Sequence, residues 1–108
     1  ATATLSNLVL EQPAASQPSM LVFQMLREGN RSVYGDLAVR WTPRGGKPVD
    51  VAKAGGVAVY VPNTMRRARL PLQLPPEMAL TGGRLDLTFR ERPEAGGKLL
   101  AEAGLDLP

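Results

Sequence analysis

The stretch RLDLTFRERPEAGGKLLAEAGLDL, residues 84–107, decides the fold of this 108-residue chain. Apolar residues recur at every second position in both halves of it: Leu85, Leu87 and Phe89 in the first, and Leu99, Ala101, Ala103, Leu105 and Leu107 in the second. Side chains alternate between the two faces of a β-strand, so each half predicts a strand with one apolar face. Residues 93–97 are typical of a turn, and the whole stretch therefore predicts an antiparallel hairpin. A lone hairpin is not stable in water, so the rest of the chain must supply the opposite wall of a core.

Clusters of Gly, Pro and Asn divide the rest of the chain into further apolar segments. Strands are predicted over residues 4–10, 20–27, 32–42, 49–53, 57–61 and 66–74, with a short helix as the alternative for 20–27 and a loop over 11–19. Residues 54–56 are expected to separate the strand over 49–53 from the strand over 57–61. Gly35 indicates a bulge or a close approach of backbones. Because proline cannot donate to a ladder, Pro71 predicts that its strand lies at a sheet edge or that position 71 faces away from a neighbouring strand. About seven strands separated by frequent turns are typical of an antiparallel sandwich.

The composition fits one domain over residues 1–108, since apolar residues make up 44% of the chain, enough for a core. No apolar run approaches the roughly 20 residues of a membrane-spanning helix. The chain has no Cys and no His, which removes disulfides, thiolate metal sites and the commonest general base. The sequence has neither a GxSxG elbow nor a phosphate-binding glycine loop. It therefore predicts a protein that is not an enzyme, with no metal site and no cofactor.

Four arginines are the candidate partner-binding residues: Arg40, Arg67, Arg69 and Arg90. They lie on the outward parity of three predicted strands, and they would form one basic stripe if those strands share a sheet. Guanidinium groups bind carboxylates and phosphates in bidentate geometry, so such a stripe suits an acidic partner. The better supported alternative is a solvated face on which arginines pair with carboxylates across strands. The candidate acids for that pairing are Asp86, Glu102 and Asp106.

Aromatic residues and strand edges are the remaining candidate sites. Trp41 shares the apolar parity of its strand and is predicted in the core of the sandwich rather than as a sugar-stacking platform. Tyr34 and Tyr60 are predicted to be half-exposed. A sandwich has open edges, which invite a partner strand. The strands at 4–10 and 49–53 are the candidates for such an edge, so we expect partner recognition by strand addition or by flat packing of a sheet.

The order of several segments resembles a known family. They are Gly29-Asn30 at the end of an apolar strand, SVYGDLAVR at 32–40, GVAVY at 56–60, Leu-Pro-Leu at 70–72 after an arginine-rich strand, Gly83-Arg84-Leu85, and GGKLLAEA at 96–103. This pattern, over about residues 20–104, resembles an immunoglobulin-like domain of bacterial periplasmic proteins linked to fimbrial (pilus) assembly chaperones. In that family a two-domain chaperone lends a strand to an incomplete pilin subunit, and basic residues between its domains hold the subunit's C-terminal carboxylate. The length of this chain suits one such domain.

The sequence thus predicts an all-β, seven-stranded antiparallel immunoglobulin-like β-sandwich. The resemblance implies a non-enzymatic periplasmic domain that binds a protein partner, a pilin-like subunit, through a sheet edge or face. A structural or adhesive sandwich module of a larger bacterial surface protein is the alternative. A third interpretation, a module that binds an anionic glycan or nucleic acid through its arginines, is the least favoured because few aromatic residues accompany them. No nucleic-acid partner and no membrane span are expected.

Overall fold

A computed structural model describes residues 1–12, 17–75 and 78–108. Within these ranges the chain forms seven β-strands: β1 (Thr2–Glu11), β2 (Met20–Glu28), β3 (Val33–Thr42), β4 (Val49–Val59), β5 (Met65–Pro71), β6 (Arg84–Arg90) and β7 (Leu99–Asp106). A short 3-10 helix, Pro93–Ala95, lies in the turn between β6 and β7. The predicted loop over residues 11–19 falls partly outside the described residues.

The strands form two antiparallel sheets that pack face to face. One sheet has the order β1-β2-β5 and the other the order β4-β3-β6-β7. β6 and β7 pair as predicted, with Leu85 opposite Leu105 and Leu87 opposite Ala103. β2 is a strand at the centre of the three-stranded sheet, so the helical alternative for residues 20–27 is wrong. For the part of the chain that the structure describes, the all-β, seven-stranded antiparallel immunoglobulin-like sandwich is confirmed.

The core is built from the inward positions of the central strands β2, β3 and β6. Nine of their inward side chains are only 0–3% exposed: Leu21, Phe23, Met25, Leu37, Val39, Trp41, Leu85, Leu87 and Phe89. Each strand keeps the period of two seen in the sequence, because alternate side chains face the opposite sheet. The indole N–H of Trp41 donates to the carbonyl oxygen of Gly82 at 3.0 Å. The prediction that Trp41 lies in the core is therefore confirmed.

Arg27 continues the inward parity of β2 and is only 4% exposed, a position that was not predicted. Its guanidinium donates to the carbonyl oxygens of Asn63 at 2.8 Å, Arg31 at 3.2 Å and Gly29. A buried charge is costly unless its donors are satisfied. Here the acceptors belong to the turns that join β2 to β3 and β4 to β5. Arg27 therefore fastens these two turns together.

β4 is one strand, whereas two were predicted. It runs unbroken as Val49–Val59, so the expected break at residues 54–56 is wrong. Gly56 has a φ of +66°, and its N–H donates to Oδ1 of Asp36 at 3.0 Å. The register against β3 shifts at this point, so the glycines form a bulge that absorbs one extra residue. Backbone freedom at Gly56 thus bends the strand without ending it.

β5 ends earlier than the predicted strand over residues 66–74. The N–H of Leu72 still donates to the carbonyl oxygen of Ser19, just before β2, at 2.8 Å, and the next N–H, that of Gln73, donates to the carbonyl oxygen of Val51 in β4 at 2.8 Å. The apolar alternation continues past the end of the strand because Leu72 is still buried, between the two sheets. β5 is an edge strand, as Pro71 predicted.

Gly35 lies where β3 passes close to the end of β6, as predicted. A Cβ at this position would overlap the carbonyl oxygen of Arg90 and press on the ring of Phe89. Gly35→Ala is therefore expected to lower the free energy of unfolding by about 2 kcal/mol, because backbone atoms cannot move aside cheaply. Urea unfolding followed by circular dichroism measures this loss. Gly55→Ala is the matched control, since the nearest atom to a Cβ there is 3.6 Å away; equal losses in the two variants would contradict the close approach.

Candidate functional site

The four arginines predicted to form one stripe lie on two different sheets. Arg40 is in β3 and Arg90 in β6, on the outer face of the four-stranded sheet. Arg67 and Arg69 are in β5, on the outer face of the three-stranded sheet. The single stripe is therefore wrong, because the chain crosses between the sheets after β4 and the two outer faces point away from each other.

Two of these arginines are engaged by carboxylates of neighbouring strands. Arg40 Nε lies 2.9 Å from Asp50 Oδ1, and Arg69 Nη2 lies 2.7 Å from Glu11 Oε1. About half or more of each of these four side chains is exposed, so solvent screens both pairs and they stabilise the fold little. Among the described residues, neither of the other two predicted arginines has a carboxylate within 4.0 Å of its guanidinium nitrogens.

An ion-pair network surrounds Arg84 on the outer face of the four-stranded sheet. Its guanidinium nitrogens lie 2.8 Å from Asp106 Oδ1 and 3.0 Å from Asp86 Oδ1. The hydrogen bond to Asp106, followed by that to Asp86, raises the pKa of Arg84 above its ordinary value. These are two of the three acids expected to pair with arginine, and Asp106 does so across strands. The arrangement matches the interpretation of this face as a solvated surface.

A depression of about 380 Å³ lies on the same face, over the small side chains of Ala38 and Thr88. Its charged lining consists of Arg40, Lys53, Arg90, Asp36, Asp50, Asp86 and Glu91. Three cations against four carboxylates give no preference for an anion. Most of these carboxylates already accept hydrogen bonds, from Arg40, from Arg84 or from the N–H of Gly56. The charges of this depression therefore compensate one another and do not select a ligand.

Arg92 joins the turn after β6 to β3. Its guanidinium lies 3.5 Å from the hydroxyl of Tyr34, 3.8 Å from Asp36 Oδ1 and 3.3 Å from Glu94 Oε1. The hydrogen bond to Tyr34, followed by the charge of Asp36, raises the pKa of Arg92 above its ordinary value. Tyr34 is 48% exposed and Tyr60 is 61% exposed, so both are half-exposed, as predicted.

Two sheet edges are protected against pairing with another strand. β5 is short and ends in Pro71. β4 carries its glycine bulge, and two of its carbonyl oxygens, on Val51 and Ala58, accept hydrogen bonds from residues outside its sheet. Bulges, prolines and covering segments keep an edge from adding a strand. The strand predicted over 49–53 thus belongs to an edge, as expected, but that edge is already covered at Val51.

The other two edges, β1 and β7, lie beside each other along one side of the sandwich, here called the open side. Within the described ranges β1 pairs with β2 alone and β7 with β6 alone. β1 is interrupted by a bulge at Asn7. β7 has no proline or basic residue and pairs regularly with β6 from Asp106 to Ala101, and its register shifts only at its start, at Leu100. The inward side chains Ala101, Ala103 and Leu105 of β7 are only half-buried. β7 therefore has no proline or basic residue to protect its edge, and β1 of the other sheet lies beside it.

A second depression, of about 400 Å³, lies where β1 and β7 end on the open side. Four leucines contribute to its lining: Leu10, Leu80, Leu105 and Leu107. In strand addition, backbone hydrogen bonds hold the added strand and pockets receive its alternate side chains. This depression is suited to one bulky apolar side chain of a strand laid along β7.

The polar side chains of the described residues do not gather into a metal site. No group of three or more His, Cys, Asp or Glu among them is placed to hold a metal ion. In the same part of the chain every buried side-chain nitrogen or oxygen has a hydrogen-bond partner. No helix there is long and apolar enough to cross a membrane.

Comparison with known proteins supports the fold and leaves the function open. No protein-family model matches the chain, and no curated protein matches it significantly. The structure is similar to part of DesR, a β-glucosidase from Streptomyces venezuelae solved in complex with D-glucose, with a TM-score of 0.59 and 10% sequence identity. The similarity covers 99% of this chain and 15% of that one, so the chain spans about 15% of the length of that protein. At this identity it shows a shared fold alone, that of a β-sandwich domain.

Proposed function

We propose that this chain is a non-enzymatic periplasmic domain, related to pilus assembly chaperones, that binds a pilin-like protein partner by strand addition at β7. The observation that carries the proposal is the β7 edge on the open side, which contains no proline or basic residue and pairs with β6 alone among the described strands. A partner strand would hydrogen-bond to the free backbone groups of Leu99–Asp106. Its apolar side chains would cover Ala101, Ala103 and Leu105, which the fold leaves half-buried.

Of the four predicted arginines, only one lies next to β7. Arg90 is the one next to β7, since it lies opposite Leu99 in the β6–β7 pairing. Its guanidinium is 3.5 Å from the carbonyl oxygen of Gly97, at the edge of hydrogen-bonding distance, and so is free to meet an acidic group at the end of an added strand. Arg40, Arg67 and Arg69 lie on β3 and β5, away from the open side. We therefore assign a partner contact to Arg90 first.

Ala103→Lys is expected to lower the affinity for a pilin-like partner by about tenfold or more, because it leaves a charge against the apolar side of the added strand. Isothermal titration calorimetry with a pilin-like subunit encoded beside this gene measures the change. Thr88→Lys is the matched control: it adds the same charge to β6, on the outer face of the same sheet. Equal losses in the two variants would locate the contact elsewhere.

Amide chemical-shift mapping with the same subunit tests the location independently of any mutation. We expect shifts along residues 99–106 and along the facing part of β1. Shifts confined to β4 and β5 would contradict strand addition at β7. If the subunit changes no amide chemical shift of the domain, the proposed function as a whole is contradicted.

A structural or adhesive module of a larger bacterial surface protein is the second candidate. This candidate is favoured by the structural comparison, because the matching fold makes up only 15% of a longer protein chain. The genes beside this one distinguish the two candidates, since usher and pilin genes are expected for an assembly chaperone. A single long reading frame around the domain, with neither gene nearby, would favour the module.

A further inference from the structure

Two turns meet at one end of the sandwich and form a surface here called the tip, residues 27–34 and 58–67. The backbone N–H of Arg27 donates to the carbonyl oxygen of Thr64 at 2.8 Å. The N–H of Val61 donates to the hydroxyl oxygen of Ser32 at 2.9 Å. The turn between β2 and β3 is thus joined directly to the turn between β4 and β5. The two turns present one combined surface to solvent.

The tip exposes large apolar side chains. The tip has four of the six large hydrophobic residues that are exposed in the described part of the chain: Tyr34 at 48% and, in the second segment, a group of three, Tyr60 at 61%, Val61 at 49% and Met65 at 44%. Single exposed apolar residues are ordinary on a protein surface, whereas a cluster marks a site of interaction. Because these three lie within six consecutive residues of one turn and its flank, they form such a cluster.

The turn that carries these side chains is held in place from beneath. Arg27 binds the carbonyl oxygen of Asn63 with its buried guanidinium, and the N–H of Asn63 donates to the carbonyl oxygen of Tyr60 at 2.7 Å. The apolar side chains are therefore presented on a backbone that needs little ordering when it binds. Such preorganisation lowers the entropic cost of binding.

The tip also has a net positive charge, equal to that of the whole chain. Its two segments contain four arginines and one glutamate, a charge of +3, and the whole chain has a net charge of +3. The remaining residues carry nine basic and nine acidic side chains. The neighbouring turn over residues 91–98 has two of each and is neutral. An anionic partner is therefore attracted to the tip in preference to this neighbouring turn.

We propose that the tip docks onto the surface of an anionic phospholipid bilayer. Lipid phosphates suit the exposed arginines, and the headgroup boundary accepts Tyr60, Val61 and Met65, since amphipathic aromatic and aliphatic side chains enter that layer. Nucleic acid fits less well, because aliphatic side chains such as Val61 and Met65 offer bases no stacking surface. This inference does not depend on strand addition at β7.

Co-sedimentation of the 108-residue chain with phospholipid vesicles tests the charge requirement. We expect binding to vesicles of phosphatidylglycerol and phosphatidylcholine at low salt, and little binding to phosphatidylcholine alone or at high salt. Arg31→Gln and Arg67→Gln are each expected to lower the partition coefficient about fivefold. Arg40→Gln is the matched control, an equal loss of charge outside the tip. Equal effects of Arg40→Gln and Arg67→Gln would overturn the proposal.

The apolar requirement is tested at constant charge. The double variant Tyr60→Ser with Val61→Ser is expected to lower the partition coefficient at least tenfold, because it removes the two apolar side chains that would enter the headgroup layer. Val9→Ser is the control, since Val9 is 54% exposed on β1 and lies outside the tip. Failure of the unaltered protein to bind anionic vesicles at low salt would overturn the proposal, and it would leave a protein with an acidic surface as the occupant of the tip.

Discussion

Trp41→Ala is expected to lower the free energy of unfolding by about 4 kcal/mol. Trp41 is 3% exposed on β3, a central strand, and lies opposite Leu85 of β6. Removing the indole leaves a cavity between the two sheets that neither sheet can close, because both are held by their ladders. The hydrogen bond to Gly82, which fixes the approach to β6, is lost as well. Urea unfolding monitored by circular dichroism measures the loss.

Trp41→Phe separates the two contributions. It keeps most of the aromatic volume and removes the N–H, so the carbonyl oxygen of Gly82 loses its buried donor, at a cost of about 1–2 kcal/mol. Tyr60→Ala serves as the control for removal of an aromatic ring at an exposed position, where a change within about 0.5 kcal/mol is expected. A Trp41→Ala variant no less stable than Tyr60→Ala would contradict the assignment of Trp41 to the core.

The strands β3 and β6 were predictable from the sequence because a single physical rule governs them. Both are central strands, with one face in the core and one in solvent, so the large apolar side chains of Leu37, Val39 and Trp41 alternate with the small or polar ones of Ala38, Arg40 and Thr42. Gly35 was predictable for the same reason, since a residue without a side chain inside such a pattern requires a neighbour at close range. The alternation of apolar residues was therefore enough to predict these two strands, the β6–β7 hairpin and most of the core.

The sheet to which each strand belongs was not predictable in this way. Parity shows which side chains of one strand share a face, and it contains nothing about which sheet the strand joins. Arg67 and Arg69 therefore shared a predicted stripe with Arg40 and Arg90 although β5 lies in the opposite sheet. The glycines of β4 were ambiguous for a related reason, because a bulge and a break both require Gly56 and only the partner strand distinguishes them.

The open side could not be predicted from the sequence either, although the sequence contained one relevant feature of β7. The edge positions of β1 and β7 depend on long-range pairing, so they emerge only from the assembled sheets. The absence of proline and basic residues from residues 99–106 was nevertheless visible. These are the residue types that commonly protect an edge. Their absence from β7, set beside Pro71 in β5, is the sequence feature that accompanies the edge to which we propose a partner strand adds.

Arg27→Met is expected to lower the free energy of unfolding by about 3 kcal/mol, because the carbonyl oxygens that the guanidinium satisfies lose their donor together. Methionine retains the aliphatic volume at this inward position of β2, so the loss reports the hydrogen bonds rather than a cavity. Arg31→Met is the control, since Arg31 is exposed and contributes only its backbone oxygen to the network. Chemical denaturation of both variants measures the difference.

Hydrogen exchange then distinguishes a local effect from a global one. Arg27 holds the turn through Asn63, so in Arg27→Met the amide of Val61, which donates to Ser32, is expected to exchange faster than the loss of global stability alone explains. The amide of Leu87 in the central strand β6 gives the global reference. If the two amides accelerate equally, Arg27 stabilises the whole sandwich without fixing the tip. If Val61 accelerates more, the buried charge is retained at this position because it fixes the turn that exposes Tyr60.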